Sequence, residues 1–174
     1  AWSPWVRNEE GTAGLEGSSQ KITGIRMTVI TKGAAIPGEK KETAGIDPNR
    51  PMVALTFDDG PHAPVTNRIL DSLEVNGGRA TFFMVGNRVK GKANTAAVAR
   101  MTALGCEVAN HTYEHKTITK LNAAGIQSQL GQANDNIRTA GGVSPVLMRP
   151  PGGAKNDASM KTVGSMGMSA VLWS

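Results

Sequence analysis

The chain has 174 residues, of which 39% are hydrophobic and 19% charged, a composition that can form a packed core and argues against wholesale disorder. Its single cysteine excludes an intrachain disulfide framework, and no apolar run approaches the ~18 residues that a membrane span needs. The net charge is +5, but the densest basic stretch, around Arg88, Lys90 and Lys92, lacks the interleaved aromatic residues that stack on bases. We therefore expect neither a transmembrane segment nor a nucleic-acid partner.

Two segments of different pattern are joined by a linker. Residues 1–36 hold two of the three tryptophans, a glycine-rich turn and a near-alternating apolar run that predicts a short strand. Residues 37–50 are polar, contain Pro and Gly and lack periodicity, as is typical of a linker. Residues 51–174 alternate between strand and helix patterns and form the second predicted domain.

The second domain is predicted to contain five strands with four intervening helices. Continuous apolar runs are typical of buried parallel strands, so the fold class is α/β with a parallel sheet or barrel, preceded by a small β-rich N-terminal segment. A complete (β/α) barrel takes roughly 200 residues or more, so we expect an incomplete one here. The predicted strands are 52–57, 80–85, one through 108, 146–148 and 170–173, and the predicted helices are 65–75, 95–104, 122–140 and 158–165.

Polar clusters follow three of these strands, where parallel architectures place active-site residues. The first, TFDDGP at residues 56–61, contains Asp58 and Asp59. Because side chains alternate in direction along a strand, one aspartate can bind a cation while the other stays free as a base.

The second cluster, HTYEH, places His111 and His115 four residues apart, a spacing at which two imidazoles can bind one metal ion. It also matches H-x-x-E-H, the inverted zinc-protease motif, in which Glu114 would be the catalytic carboxylate. That motif should lie within a helix, whereas a predicted strand runs straight into this one. We therefore favour the metal-site interpretation.

The third cluster, MRPPGG, contains Arg149, whose guanidinium can orient a carboxylate, and two glycines that let the backbone approach a ligand closely. Together and in this order, the clusters resemble the motifs of the NodB-homology polysaccharide deacetylases, carbohydrate esterase family 4. Those motifs are T-F-D-D-G, H-[ST]-x-x-H and R-x-P, and the resemblance covers about residues 51–174. It implies a distorted (β/α) barrel of the NodB-homology type, with about five of its strands in this chain.

The resemblance also implies a division of roles. Asp59, His111 and His115 would hold a divalent metal, usually Zn²⁺, with Co²⁺ or another ion as the alternative. Asp58 would be the general base, and Arg149 would keep it charged and oriented.

A backbone N–H of the third motif, around Pro151 and Gly152, would help to hold the oxyanion. Family members commonly have tyrosine where this chain has Gly152, so an aromatic wall beside the acetyl group is missing here. Trp173 follows the last predicted strand and either lines the substrate groove or packs in the core.

The family's later motifs, an Asp-x-x-Asp-Trp loop and a Leu-x-His that donates the catalytic acid, do not occur in the chain, and no histidine follows His115. We therefore expect a second polypeptide fragment to complete the barrel and to supply the catalytic histidine.

The first 32 residues separately resemble part of a clostridial hydrophobic repeat with a conserved tryptophan, through Trp2, Trp5 and the strand pattern around Ile25. Such repeats belong to secreted bacterial proteins, so this resemblance implies a secreted or cell-surface location.

The leading hypothesis is a metal-dependent hydrolase that removes acetyl groups from N-acetylated polysaccharide, either peptidoglycan or a chitin-like polymer of N-acetylglucosamine. An O-acetyl esterase acting on xylan would use the same residues. A third interpretation is a non-catalytic cell-wall-binding protein with an incomplete barrel.

Overall fold

The computed structural model describes residues 54–173 and, nearer the N-terminus, three two-residue strands: β1 (Gly14–Leu15), β2 (Ile22–Thr23) and β3 (Val29–Ile30). β1 pairs with β2 in antiparallel fashion, and β3 pairs antiparallel with the last strand of the main sheet. The rest of the predicted N-terminal repeat and the whole 37–50 linker lie outside the described residues, so both stay predictions.

The main sheet contains five parallel strands, in the order β8-β7-β6-β5-β4, with β3 added beside β8. The parallel strands are β4 (Thr56–Gly60), β5 (Thr81–Met84), β6 (Glu107–Asn110), β7 (Leu147–Met148) and β8 (Ser169–Val171). The helices between them are α1 (Ala63–Val75), α2 (Lys92–Ala103), α3 (Ala123–Gly141) and α4 (Asp157–Ser165). Among the described residues, no helix combines the length and the apolar character needed to cross a membrane.

This architecture confirms the predicted α/β class with five parallel strands. The largest differences from the predicted bounds occur at the first strand and the second helix. β4 extends through Gly60 rather than ending at Phe57, because its pairing with β5 continues as far as Gly60 opposite Met84. The two aspartates therefore belong to the end of the strand rather than to a turn after it. α2 begins at Lys92, three residues before the predicted start.

Strand β5 lies at the centre of the packing, with all four of its residues buried. Phe82 and Met84 pack among the side chains of α1, α2 and α3, whereas Phe83 belongs to a separate small cluster with Ala109 and Val171. This alternation follows from the period of two along a strand. It separates the helix-covered face of the sheet from the opposite face, where the polar site lies.

Helix α3 has the ends that its sequence predicts. The side chain of Asn122 caps its N-terminus by accepting a hydrogen bond from the Gly125 N–H at 2.8 Å. Gly142 ends it in the left-handed conformation, with φ of 75°. Its buried stripe contains four apolar residues and one amide, at Ile126, Gln129, Leu130, Ala133 and Ile137.

A tight approach between α3 and the turn after β5 requires a glycine. A Cβ atom on Gly86 would lie 2.5 Å from the Cα of Ala133, which is backbone of α3 and has little room to move. The Gly86 N–H also donates a hydrogen bond to the Thr112 carbonyl at 2.9 Å. The glycine thus allows the turn to contact the helix and the loop after β6 at once.

Replacing Gly86 by alanine is expected to lower the free energy of unfolding by about 2 kcal/mol, because the added methyl group overpacks this contact. Urea denaturation of the metal-free chain measures the change. Gly131→Ala is the matched control, since no atom of the described residues lies within 4 Å of its Cβ position on α3. Alanine there is expected to raise stability by up to about 1 kcal/mol. Equal stabilities for the two variants would contradict the packing argument.

Candidate active site and metal centre

Three strands of the sheet bring their polar residues to the same edge. β4 contains Asp58 and Asp59 just before its last residue, β6 runs directly into His111, and β7 runs directly into Arg149. The strands pair in parallel from β4 to β7, so their carboxyl ends meet, as is usual for ligand sites of such sheets. The structure therefore gathers the residues that the three sequence clusters singled out.

A bulge at the end of β4 turns both aspartates toward the site. Asp58 is opposite Phe83 and Gly60 is opposite Met84, which leaves Asp59 as an extra residue with φ of 67°. In a regular strand the two side chains would point to opposite faces. Here both carboxylates lie near His111 and act electrostatically on it. The alternation assumed from the sequence therefore does not hold here, because the bulge at Asp59 lets both aspartates face one site.

Asp59, His111 and His115 form a cluster with the geometry of a metal site. Their potential ligand atoms all lie within 4.8 Å of one another. The Asp59 Oδ1 is 3.1 Å from the His115 Nε2 and 3.8 Å from the His111 Nε2. Ligands about 2.1 Å from a tetrahedral Zn²⁺ are about 3.4 Å apart, so these residues fit such an ion.

The hydrogen bonding of His111 is that of a metal ligand. Its Nδ1 lies 2.6 Å from the Arg149 carbonyl oxygen, which can only accept, so Nδ1 carries the proton. The lone pair of Nε2 is thereby directed toward Asp59. Burial lowers the pKa of His111, an effect that its hydrogen bond to the Arg149 backbone and the neighbouring carboxylates oppose. A neutral imidazole with a fixed tautomer is the form that binds a metal ion.

Asp58 is held apart from this cluster by a charged hydrogen bond. The Arg149 Nη1 donates to the Asp58 Oδ1 at 2.6 Å and also contacts the Thr56 hydroxyl at 3.0 Å. The arginine side chain is 3% exposed, and its guanidinium carbon lies 4.0 Å from the centre of the Phe83 ring. Asp58, at 27% exposed, keeps a route to solvent while its orientation is fixed.

Beyond Arg149 the third motif forms an open corner of the site. Pro151 is buried, whereas Gly152 is exposed and has φ of 64°. In the part of the chain that the structure describes, no atom lies within 4 Å of its Cβ position. Trp173 is 49% exposed, and its ring centre lies 5.1 Å from the guanidinium carbon of Arg149. The tryptophan therefore lies at the rim of the site rather than in the core.

The Glu114 carboxylate is not part of the cluster of Asp59, His111 and His115. Its Oε2 binds the Lys116 Nζ at 2.6 Å and the Gln129 Nε2 at 2.8 Å. The bond from Lys116, followed by that from Gln129, lowers the pKa of Glu114. The HTYEH segment is a loop, as the strand before it predicted, so the helical zinc-protease arrangement is not formed.

Sequence reasoning missed three polar residues that support the site. Arg88, in the turn after β5, donates a hydrogen bond to the Asp59 carbonyl. Asn110 is fully buried and binds the Thr112 N–H, while Gln129 of α3 binds Glu114. The only signal for these two amides was a polar residue directly after the apolar Val108 and Ala109, or within an apolar helix face, because a buried amide needs a partner.

A mainly parallel α/β sheet with a carboxylate–histidine cluster and a separate aspartate at its carboxyl edge is typical of metal-binding hydrolases. The family model "Polysaccharide deacetylase" matches residues 45–171. The chain belongs to the polysaccharide deacetylase family, as its motifs predicted.

Individual relatives support the same assignment. The chain is 42% identical over 134 residues to the peptidoglycan-N-acetylmuramic acid deacetylase PdaC of Bacillus subtilis, a match covering 77% of this chain and 27% of the relative. Identity to a chitin deacetylase of a Pestalotiopsis species is 41% over 115 residues, covering 66% of this chain and 38% of the relative. The chain thus spans well under half the length of these curated relatives.

Solved structures agree with the fold. The structure of PdaC matches with a TM-score of 0.65 at 40% identity, covering 74% of this chain and 61% of that one. A family 4 acetyl xylan esterase from Clostridium thermocellum, in complex with a cobalt ion, matches with a TM-score of 0.61 at 33% identity, covering 63% and 53%. Deacetylases of carbohydrate esterase family 4 depend on a divalent metal, in agreement with the clustered ligand atoms here.

The pairing of Asp58 with Arg149 is expected to show strong energetic coupling, because Arg149 is almost fully buried. Removing either partner leaves the other charge unpaired, which costs up to about 3 kcal/mol, whereas removing both costs less than the sum. Urea denaturation of Asp58→Asn, Arg149→Gln and the double variant measures this coupling.

The exposed pair of Asp135 and Arg138 on α3 provides the control cycle. Its coupling is expected to stay below about 0.5 kcal/mol, as is usual for surface ion pairs. A coupling between Asp58 and Arg149 no larger than this value would show that burial does not strengthen their interaction.

Proposed function

We propose that this chain carries the metal site and the general base of a hydrolase that removes acetyl groups from an N-acetylated polysaccharide. The substrate would be peptidoglycan or a chitin-like polymer of N-acetylglucosamine. The observation that carries the proposal is the cluster of Asp59, His111 and His115 beside a separately held Asp58. Relatives named as peptidoglycan and chitin deacetylases support the substrate class.

In this proposal Asp59, His111 and His115 hold the metal, which we expect to be Zn²⁺ because two imidazoles and one carboxylate are ligands that zinc favours. When bound, a divalent ion supplies Lewis acidity that polarises the acetyl carbonyl and lowers the pKa of water. The neutral amide of the substrate is a poor electrophile and needs this activation.

The chain's own residues then divide the work of positioning and proton transfer. Asp58 accepts the proton of the attacking water, and the bond from Arg149 keeps its carboxylate oriented for that transfer. The N–H of Gly152 donates to the developing oxyanion, a contribution of about 3 kcal/mol in comparable sites. Buried Pro151 fixes the turn that presents this N–H, and Trp173 supplies an aromatic surface for a sugar ring.

The leaving amine also needs a proton donor. The chain has three histidines, and His62 lies at the start of α1 while the other two belong to the metal cluster. We propose that the acid is a histidine on a second polypeptide segment. Native mass spectrometry should then show the chain together with a partner and one bound metal ion.

The expected location is the cell surface or the external medium of a bacterium, since the proposed polymers lie outside the cell. The N-terminal repeat would attach the protein to a surface or substrate there.

Acetate release from three polymers tests the proposed reaction: peptidoglycan glycan strands, chitin oligosaccharides and acetylated xylan. Metal-dependent release from either N-acetylated polymer supports the proposal. Release from xylan alone would identify an O-acetyl esterase, a reading that the match to an acetyl xylan esterase favours. The assay uses the chain together with the partner that native mass spectrometry identifies, and binding to wall polymer without release from any substrate would then indicate a non-catalytic wall-binding protein.

Two substitutions separate the roles of the adjacent aspartates. Asp59→Ala is expected to abolish metal binding, because it removes one of three ligands. Asp58→Asn should keep the metal but lower the rate of deacetylation by at least about 100-fold, as expected for loss of a general base. Calorimetric Zn²⁺ titration and acetate release measure the two effects. Equal loss of metal in both variants would contradict this division.

Glu114→Gln distinguishes the deacetylase site from a protease-like one. Because the Glu114 carboxylate binds Lys116 and Gln129 instead of the cluster, its loss is expected to change deacetylation by less than about tenfold, below the effect of removing a general base. A complete loss of activity with normal metal binding would assign Glu114 a catalytic role.

A further inference from the structure

The loop between the two histidines has a backbone that its own residues do not favour. Thr112 has φ of 63° and His115 has φ of 59°, so two residues other than glycine lie in the left-handed region. Such conformations cost free energy and persist only where the surroundings fix them. The contacts that fix this loop therefore decide where the His115 imidazole lies.

The first half of the loop is held by neighbouring backbone and by one amide. The Gly86 and Asn87 N–H groups donate to the carbonyls of Thr112 and Tyr113, both at 2.9 Å. The Asn110 Oδ1 accepts from the Thr112 N–H at 2.7 Å. These bonds fix the chain just after His111.

The second half is held by a side chain of α3. The Glu114 N–H donates to the Gln129 Oε1 at 2.9 Å, and the Gln129 Nε2 donates to the Glu114 Oε2 at 2.8 Å. One planar amide thus binds both the main chain and the side chain of the residue next to His115. Gln129 is 6% exposed, and its neighbours on the buried stripe of α3 are apolar. A buried amide at that position needs partners, and the loop provides them.

We propose that Gln129 is a positioning residue for the metal ligand His115. It is not one of the three clustered ligand residues, but its two bonds to Glu114 fix the backbone that turns His115 toward the Asp59 carboxylate at 3.1 Å. The His111 ring is oriented by a different contact, its hydrogen bond to the Arg149 carbonyl. Loss of the two hydrogen bonds between Gln129 and Glu114 is therefore expected to lower metal affinity by displacing His115 alone.

Metal affinity of the whole chain tests this inference, which rests on the proposed metal site. Gln129→Met keeps the length of the side chain but removes both bonds. It is expected to weaken Zn²⁺ binding in calorimetric titration by about 10- to 100-fold, the usual effect of losing a group that orients a ligand. The matched control is Gln132→Met on the same helix. Gln132 is exposed and, among residues 54–173, hydrogen-bonds to Ser128 alone, so its loss should change affinity by less than about twofold.

A donor–acceptor exchange provides the rescue experiment. Gln129→Glu alone keeps an acceptor for the Glu114 N–H but places two carboxylates together, so it should also weaken metal binding. Adding Glu114→Gln restores a donor opposite the new carboxylate, and the double variant should recover affinity to within about threefold of the original chain. Absorption of bound Co²⁺ reports whether His115 has returned to the coordination sphere.

The outcomes are distinct. Unchanged affinity in Gln129→Met would overturn the inference, and so would a double variant that binds no better than Gln129→Glu. If Gln129→Met does not fold, the comparison of Gln129→Glu with the double variant decides. If the original chain binds no metal at all, the result contradicts the proposed metal site itself and not the positioning role of Gln129.

Discussion

The site depends above all on Arg149, which connects its two halves through different atoms. The carbonyl oxygen accepts the Nδ1 proton of His111 at 2.6 Å and so fixes the imidazole that faces Asp59. The guanidinium binds Asp58 and fixes the proposed base. Both groups belong to Arg149, which directly follows β7. One residue therefore positions both His111 and Asp58. A change of side chain alone would disturb the base but leave the carbonyl and its histidine in place.

The cost of burying that guanidinium explains the aromatic residues around it. A desolvated charge needs compensation from pairing and from nearby electron-rich groups. Arg149 has Asp58 as its partner, Phe83 beneath its plane at 4.0 Å and Trp173 further out at 5.1 Å. Phe83 faces away from the helix-covered side of the sheet, so the alternation of β5 supplies this contact directly.

Most of the fold and much of the site were predictable from local pattern. Apolar runs and helical spacing predicted the five strands and four helices, and the order of the three motifs predicted the family. The bulge at Asp59 was not predictable, because it arises from the register of β4 against β5 rather than from the residues of β4 alone. The role of Gln129 was equally hidden, since a single amide in an apolar stripe becomes informative only when its partner is known.

The glycine at the open corner of the site has a consequence for redesign of the pocket. Gly152 has a left-handed backbone, which costs a residue with a Cβ about 1 kcal/mol or more. Replacing Gly152 by a larger residue would thus introduce backbone strain, whether or not the new side chain contacts the acyl group. A bulky side chain at this corner would therefore have to gain at least as much free energy from its contacts as the left-handed backbone costs it.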